Sequence, residues 1–241
     1  MRNQYLIAVC DILGFSTLVE KNSLDDVVSG ALGWFRKALH HSLHKRDFPS
    51  EVPAKTAFVG NEHVGVAWFS DTVLLYTRRD DDEAVQQLIL TIGWLLFETM
   101  IGGNTRIRGG ISYGEAYIDE ANSIFVGKPI VEAYRLEQQQ QWSGAALTAT
   151  GSNRIPEHIR SGQYADWWVV PYDVPLKTGA TLRTLAINWT WGFHDPTWRL
   201  RWSKSADVPT ELDWQTQPDI CEKFTNTKRF HDAICRECRV R

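Results

Sequence analysis

The chain is poor in cysteine, has no excess of one charge and contains no long uninterrupted apolar run; each shortage removes a class of protein. Four cysteines (Cys10, Cys221, Cys235 and Cys238) in 241 residues are too few for a disulfide framework. The short apolar run at the N-terminus is interrupted by Asp11, and no small-residue cleavage site follows. It does not read as a signal peptide, so the thiols are expected to be reduced and the chain cytoplasmic. The 26 basic and 29 acidic residues are well mixed and leave a formal charge of −3. That balance gives no broad basic field for nucleic acid, so any phosphate site must be local. The longest apolar stretch, residues 88–101, carries Thr91, Glu98 and Thr99 and falls short of the roughly 20 residues that span a bilayer. It reads as a buried helix, and neither nucleic acid nor a membrane is expected as a partner. No internal repeat is visible, and the only low-complexity segment is the short glutamine run at Gln138–Gln141.

What remains is a chain with 43% hydrophobic residues, enough to bury a sizeable core in one domain with an appendage. Residues 4–10 form an apolar β-rich run that ends at Asp11 and a glycine, as a buried strand followed by a turn would. From Leu24 to Leu43 apolar positions recur at helical spacing. Residues 56–59, 64–69 and 72–77 read as strands, the last two joined at Ser70-Asp71. A buried helix over 84–100 follows, then a strand pair over 105–117 broken near Tyr113-Gly114, a helix over 126–140, and strands at 167–170 and 181–189. This order predicts an α+β fold, one mostly antiparallel sheet covered by helices. Residues 1–189 form the expected domain. Residues 190–241, where tryptophans crowd (Trp189, Trp191, Trp198, Trp202, Trp214) and cysteines follow, form a C-terminal extension packed on it or on a dimer interface.

Four segments can carry chemistry. Asp11 stands at a strand end before a turn, Gly14-Phe-Ser-Thr17, whose backbone N–H groups suit phosphate oxygens. Asp71 is a second acid in the neighbouring hairpin, and two such carboxylates in a half-buried place repel one another unless a cation sits between them. Arg108 lies on a strand among glycines, and Arg135 lies two turns into a glycine-led helix. Cys221, His231, Cys235 and Cys238 include a C-x₂-C spacing that leaves a zinc module open as a separate reading.

In this order the segments Asp-Ile-Leu-Gly-Phe-Ser, Ser-Asp, Arg-Gly-Gly-Ile and Gly-Lys-Pro-Ile-Val-Glu-Ala-Tyr-Arg resemble the class III nucleotide cyclases, over roughly residues 5–190. The resemblance implies that Asp11, Asp71 and the carbonyl of Ile12 hold two Mn²⁺ or Mg²⁺ ions. It implies that Gly14, Phe15, Ser16, Thr17, Arg108 and Lys177 bind the triphosphate and that Arg135 stabilises the transition state. It further implies a homodimer whose active sites combine residues of both subunits. The family's asparagine before the transition-state arginine is Val131 here, and its purine-selecting lysine and acid fall at Ala67 and Ile124. In these departures the chain resembles the pyrimidine cyclases of the bacterial Pycsar anti-phage systems. That implies UTP, or less readily CTP, as substrate, with Phe58 closing the base site and a separate effector reading the cyclic product. A nucleotide-binding protein without turnover and a purine cyclase are the alternatives.

Overall fold

A computed structural model describes residues 2–44, 60–101, 105–160, 168–190 and 218–238. The α+β architecture expected from the sequence is present: one eight-stranded, mostly antiparallel sheet covered by helices. Strand β1 (Arg2–Ile12) lies in the middle, flanked on one side by β3 (Thr72–Thr77) and β2 (Val64–Phe69). On the other side follow β4 (Ile107–Asp119), β6 (Gly144–Leu147), β8 (Thr181–Ile187) and β7 (Val169–Pro175), while β5 (Ile124–Gly127) pairs with the far end of β4. The β4–β6 pair is parallel and the other pairs are antiparallel.

The two-residue period of β1 divides its side chains between two cores. Leu6, Ala8, Cys10 and Ile12 enter the larger one, with the helices α3 (Leu32–His44) and α4 (Asp82–Ile101), whereas Tyr5 and Ile7 face Tyr76, Ala116 and Ile118 on the other side. Asp11 shares the parity of Tyr5 and Ile7, and its directly opposed partner on β4 is Arg108. Paired residues share a face, and on this one the helix α5 (Lys128–Gln139) lies over β4. Close approach is possible because Gly110 has no side chain: a Cβ there would stand 2.0 Å from the Ala133 carbonyl oxygen.

Helix α4 is apolar nearly all round, with Leu88, Ile92, Leu95 and Leu96 fully buried. Asp81 caps its start, accepting from the Ala84 N–H at 2.8 Å, and that bond holds the Asp81 carboxyl below its usual range.

Several elements differ from the sequence reading. The helix expected over 24–43 is divided into a short turn, α2 (Leu24–Asp26), a π-helical turn at Val27–Ala31 and α3; the Leu32 N–H reaches back five residues to the Val27 carbonyl. A further helix, α1 (Phe15–Lys21), precedes them. Strand β4 runs unbroken through Gly114, since Tyr5 of β1 pairs there and keeps the ladder intact. Residues 124–127, whose second half was expected to be helical, instead form β5, and the helix starts after Gly127 with Pro129 in its first turn. Strand β6 and the helices α6 (Ala149–Arg154) and α7 (Glu157–Arg160) were not anticipated. The strand expected at 56–59 lies outside the described residues, as do Trp191, Trp198, Trp202 and Trp214.

The C-terminal helix α8 (Pro218–Cys238) contributes Phe230, fully buried against Trp142, Tyr172 and Trp189. Thr227 and Asn226 bind the backbone of Ser143 and Gln141. Cys221 and His231 stand ten residues apart on this one helix, about 15 Å at the α-helical rise. They therefore cannot both ligate a single ion within the chain.

Candidate active site

The site is built at the carboxyl end of β1. Asp11 is opposed by Thr72 of β3 on one side and Arg108 of β4 on the other. Asp71 occupies the two-residue β2–β3 turn, where Ser70 takes a positive φ of 57° and its carbonyl accepts the Trp68 indole N–H at 2.7 Å. The Ile12 N–H donates to the Asp71 carbonyl at 3.1 Å, which fixes the hairpin turn against the strand end. The two carboxylates predicted from the sequence are therefore neighbours.

Their electrostatics are those of crowded acids. Burial, then Glu137, then Asp71 push the Asp11 carboxyl up to about 7, against the lowering pull of Arg108. A cation between the carboxylates removes that repulsion. Two carboxylates and the Ile12 carbonyl are oxygen donors that suit a hard ion such as Mg²⁺ or Mn²⁺, which keeps water and phosphate in its remaining positions. Among the described residues no cluster of three or more His, Cys, Asp or Glu side chains stands in metal-binding array, so protein carboxylates alone would not enclose an ion.

Beyond Ile12 the Leu13 N–H donates to the Arg106 carbonyl at 2.8 Å, and Gly14 turns the chain with φ 75°, a left-handed conformation that suits glycine. Phe15, Ser16 and Thr17 then open α1, where first-turn N–H groups have no intrahelical acceptor. Phe15 packs on the larger core, and Ser16 is exposed.

The structure places Arg108 differently from a residue open to a triphosphate. Its guanidinium is buried and paired with Glu137 of α5, Nε to Oε1 at 2.7 Å and Nη2 to Oε1 at 2.5 Å, while Nη1 donates to the Gln140 carbonyl at 2.9 Å. Glu137 itself is fully buried and also accepts from Gln138 at 2.7 Å. Glu137 was not among the residues singled out from the sequence. Its signal was present in the helical spacing: Glu137 is four residues from Ala133, which faces Gly110, and Arg135 is two residues, about 200° of helix, away from it. Arg135 is accordingly exposed, beside the exposed Val131 and Tyr134.

Lys177 is brought in by the β7–β8 hairpin. Its N–H donates to the Gln139 carbonyl at 2.8 Å, and the Gln141 N–H donates to Pro175 at 2.8 Å, so the hairpin tip sits on the end of α5. The ammonium is exposed. Partial burial, Arg108 and Lys223 lower its pKa, while Glu137 and Asp11 raise it, which places its charge in the field of the carboxylates. Ala67 lies on β2 and Ile124 opens β5. Phe58 lies outside the described residues.

Among solved structures the chain is similar to the catalytic core of a rhodopsin-guanylyl cyclase with converted specificity, in complex with ATPαS. The TM-score is 0.51 and the identity 13%, covering 78% of this chain and 97% of that one. It also aligns with the guanylyl cyclase Cya2, at TM-score 0.45 and 13% identity over 78% of this chain and 92% of that one. A third match is an adenylate/guanylate cyclase/hydrolase from Silicibacter pomeroyi, at TM-score 0.47 and 13% identity over 78% and 97%. The first of these likenesses establishes the fold, which is that of a class III cyclase core. No protein-family model and no curated protein matches the sequence.

Proposed function

We propose that the chain is a metal-dependent nucleotide cyclase that converts a pyrimidine nucleoside triphosphate, UTP before CTP, to the 3′,5′-cyclic monophosphate and pyrophosphate. The observation that carries this reading is the meeting of Asp11 and Asp71 at the end of the central strand, within a cyclase-core fold and with the charge of Lys177 in the same field.

The reaction is an in-line attack of the ribose 3′-oxygen on the α-phosphorus. Asp11, Asp71 and the Ile12 carbonyl would hold two Mn²⁺ or Mg²⁺ ions, which would supply Lewis-acid activation of the 3′-hydroxyl and neutralise phosphate charge. The protein's own part is positioning. The Asp71–Ile12 bond fixes the two acids relative to each other, and the Gly14–Thr17 turn presents backbone N–H groups toward the phosphates. Exposed Lys177 takes the β- and γ-phosphate charge, and Arg108 holds α5 against β4 through Glu137 unless that pair opens to the substrate. Arg135 stabilises the charge that grows on the equatorial oxygens, a role whose loss costs about 10²-fold. The proton of the 3′-hydroxyl passes to water or substrate.

Arg135 is exposed, with the exposed Val131 and Tyr134 beside it on α5, while Tyr117, Ile124 and Val126 are exposed on the β4–β5 hairpin, on the sheet face opposite α5. An apolar surface of this kind fits a subunit interface, so the active unit is a homodimer in which Arg135 of one chain serves the acids of the other. The pyrimidine assignment rests on Ala67 and Ile124, which lack the hydrogen-bonding groups needed to read a purine edge. The role follows from the resemblance: a cytoplasmic second-messenger synthase in anti-phage defence, its product read by a separate effector. A second reading, nucleotide binding without turnover, is favoured by one observation, the exposed Val131 where an asparagine would assist Arg135.

The test is incubation of the purified protein with Mn²⁺ and each of ATP, GTP, CTP and UTP, with products identified by mass spectrometry and Asp71→Ala as control. A cyclic pyrimidine nucleotide absent from the control supports the proposal. A cyclic purine would replace its base assignment, and nucleotide binding without any cyclic product would favour the second reading.

A further inference from the structure

Between α5 and β6 the chain makes a short connection, and two groups of the candidate site hang on it. The Gln140 carbonyl accepts Nη1 of Arg108 at 2.9 Å, and the Gln139 carbonyl accepts the Lys177 N–H at 2.8 Å. The Gln141 N–H donates to the Pro175 carbonyl at 2.8 Å, in the hairpin that carries Lys177. The other side of the connection is held by α8, which carries none of the candidate site residues. Asn226 of α8 donates from Nδ2 to the Gln141 carbonyl at 2.8 Å. Arg229, further along the helix, donates to Asn226 Oδ1 at 3.3 Å, so the amide is held at both ends with its NH₂ group toward Gln141. Glu222, exposed at the start of the helix, adds a tie by accepting from Gln141 Nε2 at 3.1 Å. Asn226 and Gln141 are both buried, where a carbonyl left without its donor is costly. Gln141 thus ties the Lys177 hairpin by its N–H and α8 by its carbonyl.

We infer that Asn226 is a positioning residue for the triphosphate: it fixes Gln141, and through Gln141 the hairpin that presents Lys177. The inference rests on the cyclase reading above and makes α8 a working part of the site rather than an appendage. Lys177 is exposed at the hairpin tip, and a long flexible ammonium side chain is aimed only as well as the backbone beneath it. Hairpin tips open locally at little free-energy cost, and a support that is already ordered leaves less ordering for binding to carry out. Arg108 hangs on the neighbouring carbonyl but is also held by Glu137, so Lys177 is the group that loses its aim when Gln141 is freed. Phe230, packed on Trp142 and Tyr172, keeps α8 docked without help from Asn226. Loss of the Asn226 amide therefore frees Gln141 while the helix stays in place.

The experiment pairs amide hydrogen exchange on the full chain, which needs no catalytic activity, with steady-state kinetics. In Asn226→Ala the Lys177 and Gln141 amides should exchange about tenfold faster than in the parent, after correction for any change at the β1 amides, which report global opening. KM for the triphosphate that the parent turns over should rise about threefold at nearly constant kcat, less than in Lys177→Ala because Asn226 acts through that lysine. The same substitution in a Lys177→Ala background should leave KM unmoved, since residues that act through one another are not additive. Where the parent binds Mn²⁺–UTP without turnover, the dissociation constant takes the place of KM. Circular dichroism reports folding, and Asn226→Asp, equal in size but without the N–H donor, decides if the alanine variant does not fold. An active parent whose folded variant keeps its KM overturns the inference, as do unchanged Lys177 exchange and a KM rise repeated in full in the Lys177→Ala background. A parent that neither binds nor converts any triphosphate overturns the cyclase reading and the role of Asn226 with it, whatever the exchange rates.

Discussion

Arg108 and Glu137 form a buried ion pair across the β4–α5 packing, Nε to Oε1 at 2.7 Å, with both side chains almost wholly removed from solvent. Removing one partner of such a pair leaves an uncompensated charge in the interior, at a cost of about 3–5 kcal/mol. Glu137→Ala should therefore lower the melting temperature by about 6–20 °C, at the roughly 2–4 °C per kcal/mol of a domain this size. An unshifted thermal transition would mean that Arg108 finds another acceptor at no cost.

Asp11 makes the metal-free protein sensitive to pH. Its carboxyl is pushed up to about 7 by burial, Glu137 and Asp71, whereas in the unfolded chain it titrates near 4. The folded state thus holds the proton more tightly, and this group's contribution to stability is present below about pH 4 and is lost as pH rises to about 7. Discounted for partial solvent access, the loss is about 1–2 kcal/mol. Asp11→Asn should remove that slope, so that the metal-free variant is more stable than the parent at pH 8 and nearly equal at pH 4. Added Mn²⁺ should stabilise the parent at pH 8 and leave the variant unmoved. Calorimetry with and without Mn²⁺ checks both; equal Mn²⁺ stabilisation of the two proteins would remove Asp11 from the metal site.

Much of this site is written locally. Asp11 ends an apolar run before a glycine, Asp71 sits in a two-residue turn between β-rich segments, and both signals survive in a single sequence because a strand end and a hairpin turn are local features. The β1–β3–β4 neighbourhood that brings Asp11, Asp71 and Arg108 together is where the local signals agree with the sheet. Strand β6 escaped because Gly144-Ala-Ala-Leu147 is short and carries no alternation; it is fixed by its parallel pairing with β4. The buried state of Arg108 escaped for a different reason, since an arginine on a strand has the same appearance whether it faces solvent or a glutamate 29 residues away. Lys177 was expected only from the family resemblance, and what holds it beside α5 is the docking of the β7–β8 hairpin, a long-range contact with no local signature.

Gly110 marks where that helix approaches the sheet. A Cβ at this position would meet the Ala133 carbonyl oxygen at 2.0 Å and the Glu137 nitrogen at 2.8 Å, both backbone atoms that cannot turn aside. Gly110→Ala must displace α5 from β4 and should destabilise by about 2–3 kcal/mol, as overpacking does. Because Arg135 and Glu137 ride on the same helix, cyclase activity should fall more than the stability loss explains. Denaturant unfolding and turnover measured on the folded fraction separate the two effects; a variant of unchanged stability would show that the helix has room to move.

Lys177 and Arg135 should divide binding from chemistry. Lys177 is exposed at a hairpin tip and, placed on the outer phosphates, contributes to ground and transition states alike, so Lys177→Ala should raise KM about tenfold with a small change in kcat. Arg135→Ala should lower kcat about 10²-fold at nearly constant KM. Neither substitution removes a buried group, and the thermal transition of each variant should remain that of the parent. A KM effect for Arg135 with kcat intact would exchange the two roles.

The exposure of Arg135 beside Val131 and Tyr134, on the helix side opposite Glu137, decides how the active unit is assembled. If the acids and this arginine serve the same site within one chain, Asp71→Ala and Arg135→Ala are each inactive and stay inactive when mixed. In a two-fold homodimer with shared sites, a mixed dimer carries one site with both lesions and one with none. Random exchange makes about half of the dimers mixed, and one of the two sites in each is intact, so activity should recover to about a quarter of the parental level in the mixture and to about half in the isolated mixed dimer. Co-expression of the two variants with different tags, isolation of the doubly tagged dimer and assay of cyclic nucleotide formation measure this directly. Recovery places Arg135 across the interface, and a doubly tagged dimer without activity would return it to its own chain's acids or remove it from the reaction.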